Sequence, residues 1–203
     1  AATFLFVPGD RQDRFAKALA SGADCVIFDL EDAVQPNAKA QARQAALAAD
    51  IDWGRAAGRI NDATSLYFED DRQFLRDCAA PTIVLPKAES PHTVAQIRAA
   101  CARDVDVIIM IETARGLANM ASLLAAPGVR RAAFRHLDFA LDLGCAPDWE
   151  PLLFVRSQMV IQSRLAGALP PIDSVTTDYK NAEAAIADAA AARRLGFGGK
   201  LLI

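Results

Sequence analysis

Short apolar blocks punctuate the chain at regular intervals, and between them lie longer stretches with the spacing of amphipathic helices. The clearest block is Val107 to Ile111, unbroken in its apolar character, which stops abruptly on Glu112 and the turn-prone Thr113-Ala-Arg-Gly116. A strand apolar on both faces is buried on both, as in parallel sheets covered by helices. Similar blocks at 4–8, 25–30, 56–61, 82–86, 131–134, 172–176 and 199–203 predict seven further strands. Helices are predicted over 14–21, 38–49, 71–79, 91–103, 117–125, 152–168 and 180–195. Ser90 with Pro91 reads as the N-cap and first position of one of them. The segment from Leu137 to Gly144 carries no helix in this reading and is taken as a lead into a turn.

Strand and helix alternate without a long linker, which predicts one α/β domain over residues 1–203. Eight strands favour a closed TIM (β/α)8 barrel over an open sheet. The chain has 203 residues, fewer than the roughly 250 usual for that fold. No helix is evident after the eighth strand, so the final helix and a C-terminal lid are expected to be missing here.

In such a barrel the C-terminal ends of all strands open onto one mouth. The residues at those ends are Gly9-Asp10-Arg11, Asp29 with Glu31 and Asp32, Arg59 with Asn61, Lys87 with Glu89, Glu112, and Asp138. Two carboxylates on consecutive strands, without a histidine cluster, suit a hard oxygen-seeking cation such as Mg2+. Arg59 is placed to hold a substrate carboxylate in a bidentate fork. Any one of these groups alone reads as surface solvation or a structural ion pair; their convergence on one mouth makes them candidates.

Composition narrows the field. Hydrophobic residues make up 53% and charged residues 23%, which excludes a disordered chain. A net charge of −3 without a Lys/Arg-rich block argues against nucleic acid or an anionic membrane as partner. No apolar run approaches the roughly 18 residues of a membrane span, and the start lacks a basic signal-peptide region. Four separated cysteines without a CxxC pair read as free thiols in a reducing compartment. A cytoplasmic location is the expectation.

Six strings, in order, resemble the HpcH/HpaI aldolase and citrate lyase family, in its citrate lyase beta-subunit-like branch. They are Phe6-Val-Pro-Gly-Asp-Arg11, Asp29-Leu-Glu-Asp-Ala-Val34, Arg59-Ile-Asn61, Leu85-Pro-Lys-Ala-Glu-Ser90, Ile111-Glu-Thr-Ala-Arg-Gly116 and Leu137-Asp-Phe-Ala-Leu-Asp-Leu-Gly144. The resemblance spans residues 4–203 and implies an Mg2+-dependent barrel enzyme that makes or breaks a C–C bond beside a keto acid. It implies a 3-hydroxyacyl thioester of citryl, malyl or citramalyl type, cleaved to acetyl-CoA or an analogue and a 2-keto acid. By the same resemblance Glu112 and Asp138 match metal ligands, and Arg59 matches the residue holding the substrate carboxylate. Glu31 and Asp32 match polar catalytic supports, and Lys87 and the Gly9-Asp10-Arg11 turn are further candidates at the mouth. A homo-oligomer, trimeric or a multiple of three, is also implied.

Where the resemblance implies glycine, this chain has Arg135, which places a cation beside the expected metal site. Three other readings stay open. One is a citrate lyase beta subunit cleaving a citryl group carried by an acyl carrier protein. Another is a barrel that binds keto acid or CoA without turnover, and the third is a pyruvate-type aldolase.

Overall fold

A computed structural model describes residues 1–203. Eight parallel strands close into a barrel in sequence order: β1 (Thr3–Pro8), β2 (Cys25–Asp29), β3 (Ala56–Arg59), β4 (Thr82–Leu85), β5 (Asp106–Ile111), β6 (Val129–Phe134), β7 (Ile172–Asp173) and β8 (Gly199–Leu202). The last strand returns to the first, with Thr3 opposite Lys200 and Phe4 opposite Leu201. Closure leaves no sheet edge exposed. The expected TIM-type α/β barrel is therefore present.

Helices α1 (Phe15–Leu19), α2 (Lys39–Ala48), α3 (Phe68–Asp77) and α4 (Pro91–Ala100) alternate with the first five strands. Between β5 and β6 the chain makes two short helices, α5 (Ala114–Ala118) and α6 (Met120–Leu124), in place of the single predicted one. They part at Asn119, whose Nδ2 donates to the Glu89 carbonyl in the neighbouring loop. Helix α7 (His136–Leu143) occupies the segment read from sequence as a lead into a turn. Gly144, at φ 73°, is the left-handed residue that ends it. Then follow α8 (Leu153–Leu165) and α9 (Ala182–Leu195).

Side-chain alternation sorts each strand into two layers. Phe4, Ile27, Ala57, Val84, Ile108, Met110, Ala133, Ile172 and Leu201 fill the barrel interior. Alternate residues such as Ile83, Val107, Ile109, Ala132 and Phe134 pack outward against the helices. Val107 through Ile111 are all buried, as a run apolar on both faces requires. The interior set matters most for function, because the alternation that puts Ile27, Ala57 and Met110 inside also aims Asp29, Arg59 and Glu112 into the mouth.

Two glycines set close approaches at that end of the barrel. A Cβ on Gly9 would stand 2.8 Å from the Asp29 carbonyl oxygen, which already accepts the Gly9 N–H at 2.8 Å. A Cβ on Gly116 would stand 2.8 Å from the Ala88 carbonyl. The Gly9 turn presses against the end of β2 and the start of α5 against the loop after β4, so only glycine fits at either position.

Candidate active site

Asp29 and Arg59 are opposite one another in the β2–β3 register, and their side chains meet at the floor of the mouth. Arg59 donates from Nε to Asp29 Oδ1 at 2.7 Å and from Nη2 to Oδ2 at 2.6 Å. Its guanidinium also lies 4.6 Å from the centre of the Phe6 ring. This refines the sequence expectation: the side-on fork read as a clamp for a substrate carboxylate already grips Asp29. Only the far nitrogen, Nη1, points on into the mouth, 2.8 Å from Glu31 Oε2 and 3.6 Å from Asp32 Oδ2. The Nη1–Glu31 pair is out of hydrogen-bond alignment, so both atoms are buried as an ion pair without a formed hydrogen bond. Burial opposes charge on Asp29, but Arg59 and the N–H groups of Glu31 and Ala33 hold its carboxyl below the usual range.

The loop carrying Glu31 and Asp32 is pinned from beneath. Lys39 Nζ donates to the carbonyls of Leu30 and Glu31, both at 2.8 Å, and to Asn61 Oδ1 at 2.7 Å. Asn61 in turn donates to Asp71 Oδ2 through its backbone and side-chain nitrogens. Sequence reading passed over Lys39 because it sits in an alanine-rich helix with no marker of a buried cation. The result is that Glu31 is 4% exposed. Burial, then the nearby Asp32 and Asp29, push its carboxyl up to about 7 despite the opposing pull of Arg59.

Lys87 follows β4 in a left-handed conformation, φ 42°, unusual for a residue with a side chain. Its Nζ lies 3.4 Å from Glu31 Oε1 and 3.5 Å from Asp62 Oδ2. The backbone beyond it stays in register, Ala88 N–H donating to the Met110 carbonyl.

Glu112 stands just past β5 and is 1% exposed, yet neither carboxylate oxygen has a hydrogen-bond partner. Burial first, and then the charge of Glu31, push its carboxyl up to about 8; Arg135 pulls the other way and Asp138 adds to the rise. An unpaired buried carboxylate carries a large desolvation cost. Asp138, in the first turn of α7, shares a cleft of about 280 Å³ with Glu112, Lys87, Thr113, Leu141 and Asp142. A wider groove, about 860 Å³, runs along β1 and α1 and contains none of these residues.

Arg135 ties the far side together. Its Nε donates to Asp138 Oδ2 at 2.9 Å and its Nη2 to Asp32 Oδ2 at 3.0 Å. Asp142 accepts the Ala114 N–H at 2.8 Å and fixes the start of α5. His136 is buried, with Nδ1 2.6 Å from Ser174 Oγ. The Ser174 oxygen also accepts the His136 backbone N–H, a pairing that sequence spacing does not announce.

The structure thus brings Glu31, Asp32, Arg59, Lys87, Glu112 and Asp138 to one mouth. Arg11 is not drawn in; it makes an exposed pair with Asp13 at 2.7 Å. No group of three or more His, Cys, Asp or Glu side chains forms a metal cage by itself. The two-carboxylate pair of Glu112 and Asp138 therefore fits a cation that completes its shell with water and ligand oxygens, as Mg2+ does. The cysteines are all free, and no helix is long and apolar enough to cross a membrane.

A closed parallel barrel with a buried carboxylate at its C-terminal mouth defines an α/β-barrel protein with an enzyme-like site. Comparison with known proteins sharpens this. The family model of HpcH/HpaI aldolase/citrate lyase matches residues 2–203, and the chain belongs to that family. It is 36% identical to the citrate lyase subunit beta-like protein of Deinococcus radiodurans, over 98% of this chain and 74% of that protein. A (3S)-malyl-CoA thioesterase of Cereibacter sphaeroides is 29% identical over 98% of this chain and 71% of its own. Among solved structures, CitE from Mycobacterium tuberculosis in complex with magnesium, acetoacetate and coenzyme A superposes with a TM-score of 0.88. It is 33% identical, covering 100% of this chain and 76% of that one.

Proposed function

We propose that the protein is an Mg2+-dependent carbon–carbon lyase acting on a 3-hydroxyacyl-CoA-type thioester, releasing acetyl-CoA or an analogue and a 2-keto acid. The observation that carries this reading is Glu112: a fully buried carboxylate with both oxygens unpartnered, facing a cleft shared with Asp138. A cation held there by Glu112 and Asp138 would supply the missing partner. Mg2+ in that position contributes Lewis-acid polarisation of the substrate's oxygens.

The chain's own residues account for the remaining steps. Arg59 Nη1, the end of the guanidinium that Asp29 leaves free, meets a substrate carboxylate end-on and orients the bond to be broken. Asp29 fixes that guanidinium by occupying its other edge. Cleavage requires loss of the substrate's hydroxyl proton. Glu31, its carboxyl pushed up to about 7 by burial, accepts it; Arg59 and Lys87, 2.8 and 3.4 Å away, keep Glu31 ionised until the proton arrives. Electrons from the O–H bond form the keto C=O, the C–C bond breaks, and the thioester leaves as its enolate to be protonated. Asp32 joins Glu31 in lining the polar wall of the mouth.

A second reading is hydrolysis of a malyl-type thioester, which the thioesterase relative favours. One experiment separates them. Malyl-, citramalyl- and citryl-CoA are offered with Mg2+ or EDTA, and acetyl-CoA, free CoA and keto acid are measured. Mg2+-dependent acetyl-CoA and keto acid in equal amounts, lost in Glu112→Ala and Asp138→Ala, is the expected result. Free CoA without keto acid identifies hydrolysis. No turnover of any thioester by folded protein would remove the lyase reading and leave a carrier-protein substrate or a binding role.

A further inference from the structure

Arg135 sits where the mouth can least ignore it. It is the residue before α7, its backbone N–H donates to the Ile111 carbonyl immediately ahead of Glu112, and its side chain is 17% exposed. The guanidinium reaches Asp138 Oδ2 through both Nε and Nη2, each at 2.9 Å, and reaches across to Asp32 Oδ2 at 3.0 Å. Asp138 thus presents its Oδ2 to a fixed monovalent cation on its own helix. The same guanidinium is the strongest cationic pull on Glu112, whose carboxylate oxygens have no hydrogen-bond partner.

We propose that Arg135 is a resident counter-ion of the divalent-metal site, competing for Asp138 and lowering the site's affinity for Mg2+. This rests on the reading that Glu112 and Asp138 hold the metal. Two effects act in the same direction. A metal bound at Asp138 must share a carboxylate already engaged on one oxygen, and it must sit beside a positive charge at a half-buried site, where repulsion is only partly screened. Arg135 links Asp32 and Asp138 across the mouth with its own positive charge. That charge partly neutralises the mouth, and a metal entering beside Asp138 must displace or tolerate it.

Isothermal titration of Mg2+ into wild type, Arg135→Gln, Arg135→Gly, Arg135→Lys and Glu112→Ala tests this without reference to turnover. Circular dichroism melts establish that each variant is folded. Arg135→Gln and Arg135→Gly are expected to bind Mg2+ about tenfold more tightly than wild type, the size a nearby unit charge produces at partial screening. Arg135→Lys, which keeps the charge, is expected to stay within about threefold of wild type. Equal or weaker binding in the Gln and Gly variants overturns the proposal, as does equal tightening in all three. Mg2+ bound undiminished by Glu112→Ala, or bound by no folded variant, overturns the metal assignment itself and the counter-ion role with it.

Discussion

Two buried ionic networks lie in this barrel, and they are solved in opposite ways. Behind β7 and β8, Asp173 accepts from Arg156 Nε at 3.1 Å on one oxygen and from Lys200 Nζ at 2.9 Å on the other. The excess positive charge is spread over aromatic faces, with the Arg156 guanidinium 4.2 Å from the Trp149 ring centre and 5.0 Å from that of Phe134. Burial, and then Arg156, hold the nearby His136 below its usual range. At the mouth the balance is reversed: Asp29, Glu31, Asp32, Asp62, Glu112 and Asp138 face Arg59, Lys87 and Arg135, with Lys39 buried beneath. Asp173 is fully engaged, whereas Glu112 has no partner on either oxygen. The network behind β7 and β8 closes on itself; the mouth keeps an excess of carboxylates, the charge that the proposed cation would offset.

The sharpest way to break this contrast is Asp173→Ala. It strands Arg156 and Lys200 as buried cations, and urea denaturation should show a loss of about 3–5 kcal/mol. Glu112→Gln should do the reverse in metal-free protein at pH 8 to 9, raising stability by about 1–2 kcal/mol, because it removes an unpaired buried charge. The sign follows from linkage. Folding raises the Glu112 carboxyl from 4.5 to about 8, so across that window the folded chain holds a proton that the unfolded chain has released. The stability associated with it is full below about 4.5 and is lost as pH climbs to about 8. Wild type should therefore weaken over this interval relative to Glu112→Gln, read as the difference between their denaturation midpoints.

Metal binding samples the same group from the other side. Only the ionised carboxylate ligates, so the apparent Mg2+ affinity should fall as pH drops below about 8, by up to about tenfold per unit. Titrations in buffers of different ionisation heat should also report proton release at pH 7; no release would contradict the assignment of Glu112. Smallest of all is Arg11→Ala. Its pair with Asp13 is exposed, so the denaturation midpoint and the turnover rate should both stay at their wild-type values.

The barrel was legible because its cue was crude and repeated. Apolar runs such as 107–111 can be satisfied only by burial on both faces, and strict alternation then carries Asp29, Arg59 and Glu112 inward past the strand ends. What escaped was whatever depends on partners distant in sequence. Arg59 looked free to grip a ligand because nothing local reveals that Asp29 stands opposite it in the next strand. Lys39 looked like an ordinary surface position of a helix until three loop oxygens converged on it. Helix α7 was missed because Gly144 reads equally as a turn and as a helix end, and eight residues give the helical period little room to show. The pairing of His136 with Ser174 joins residues 38 apart and has no local signature.

Closure of β8 onto β1 has a consequence for how the chain is born. Thr3 can meet Lys200 only once nearly two hundred further residues have been added, roughly 10–40 s after its own synthesis at common elongation rates. Until then β1 can pair on its β2 side alone, and its other edge waits for β8. Throughout that interval the growing sheet carries one unpaired edge, and whatever shields that edge in the cell shields it before the mouth of the barrel has closed.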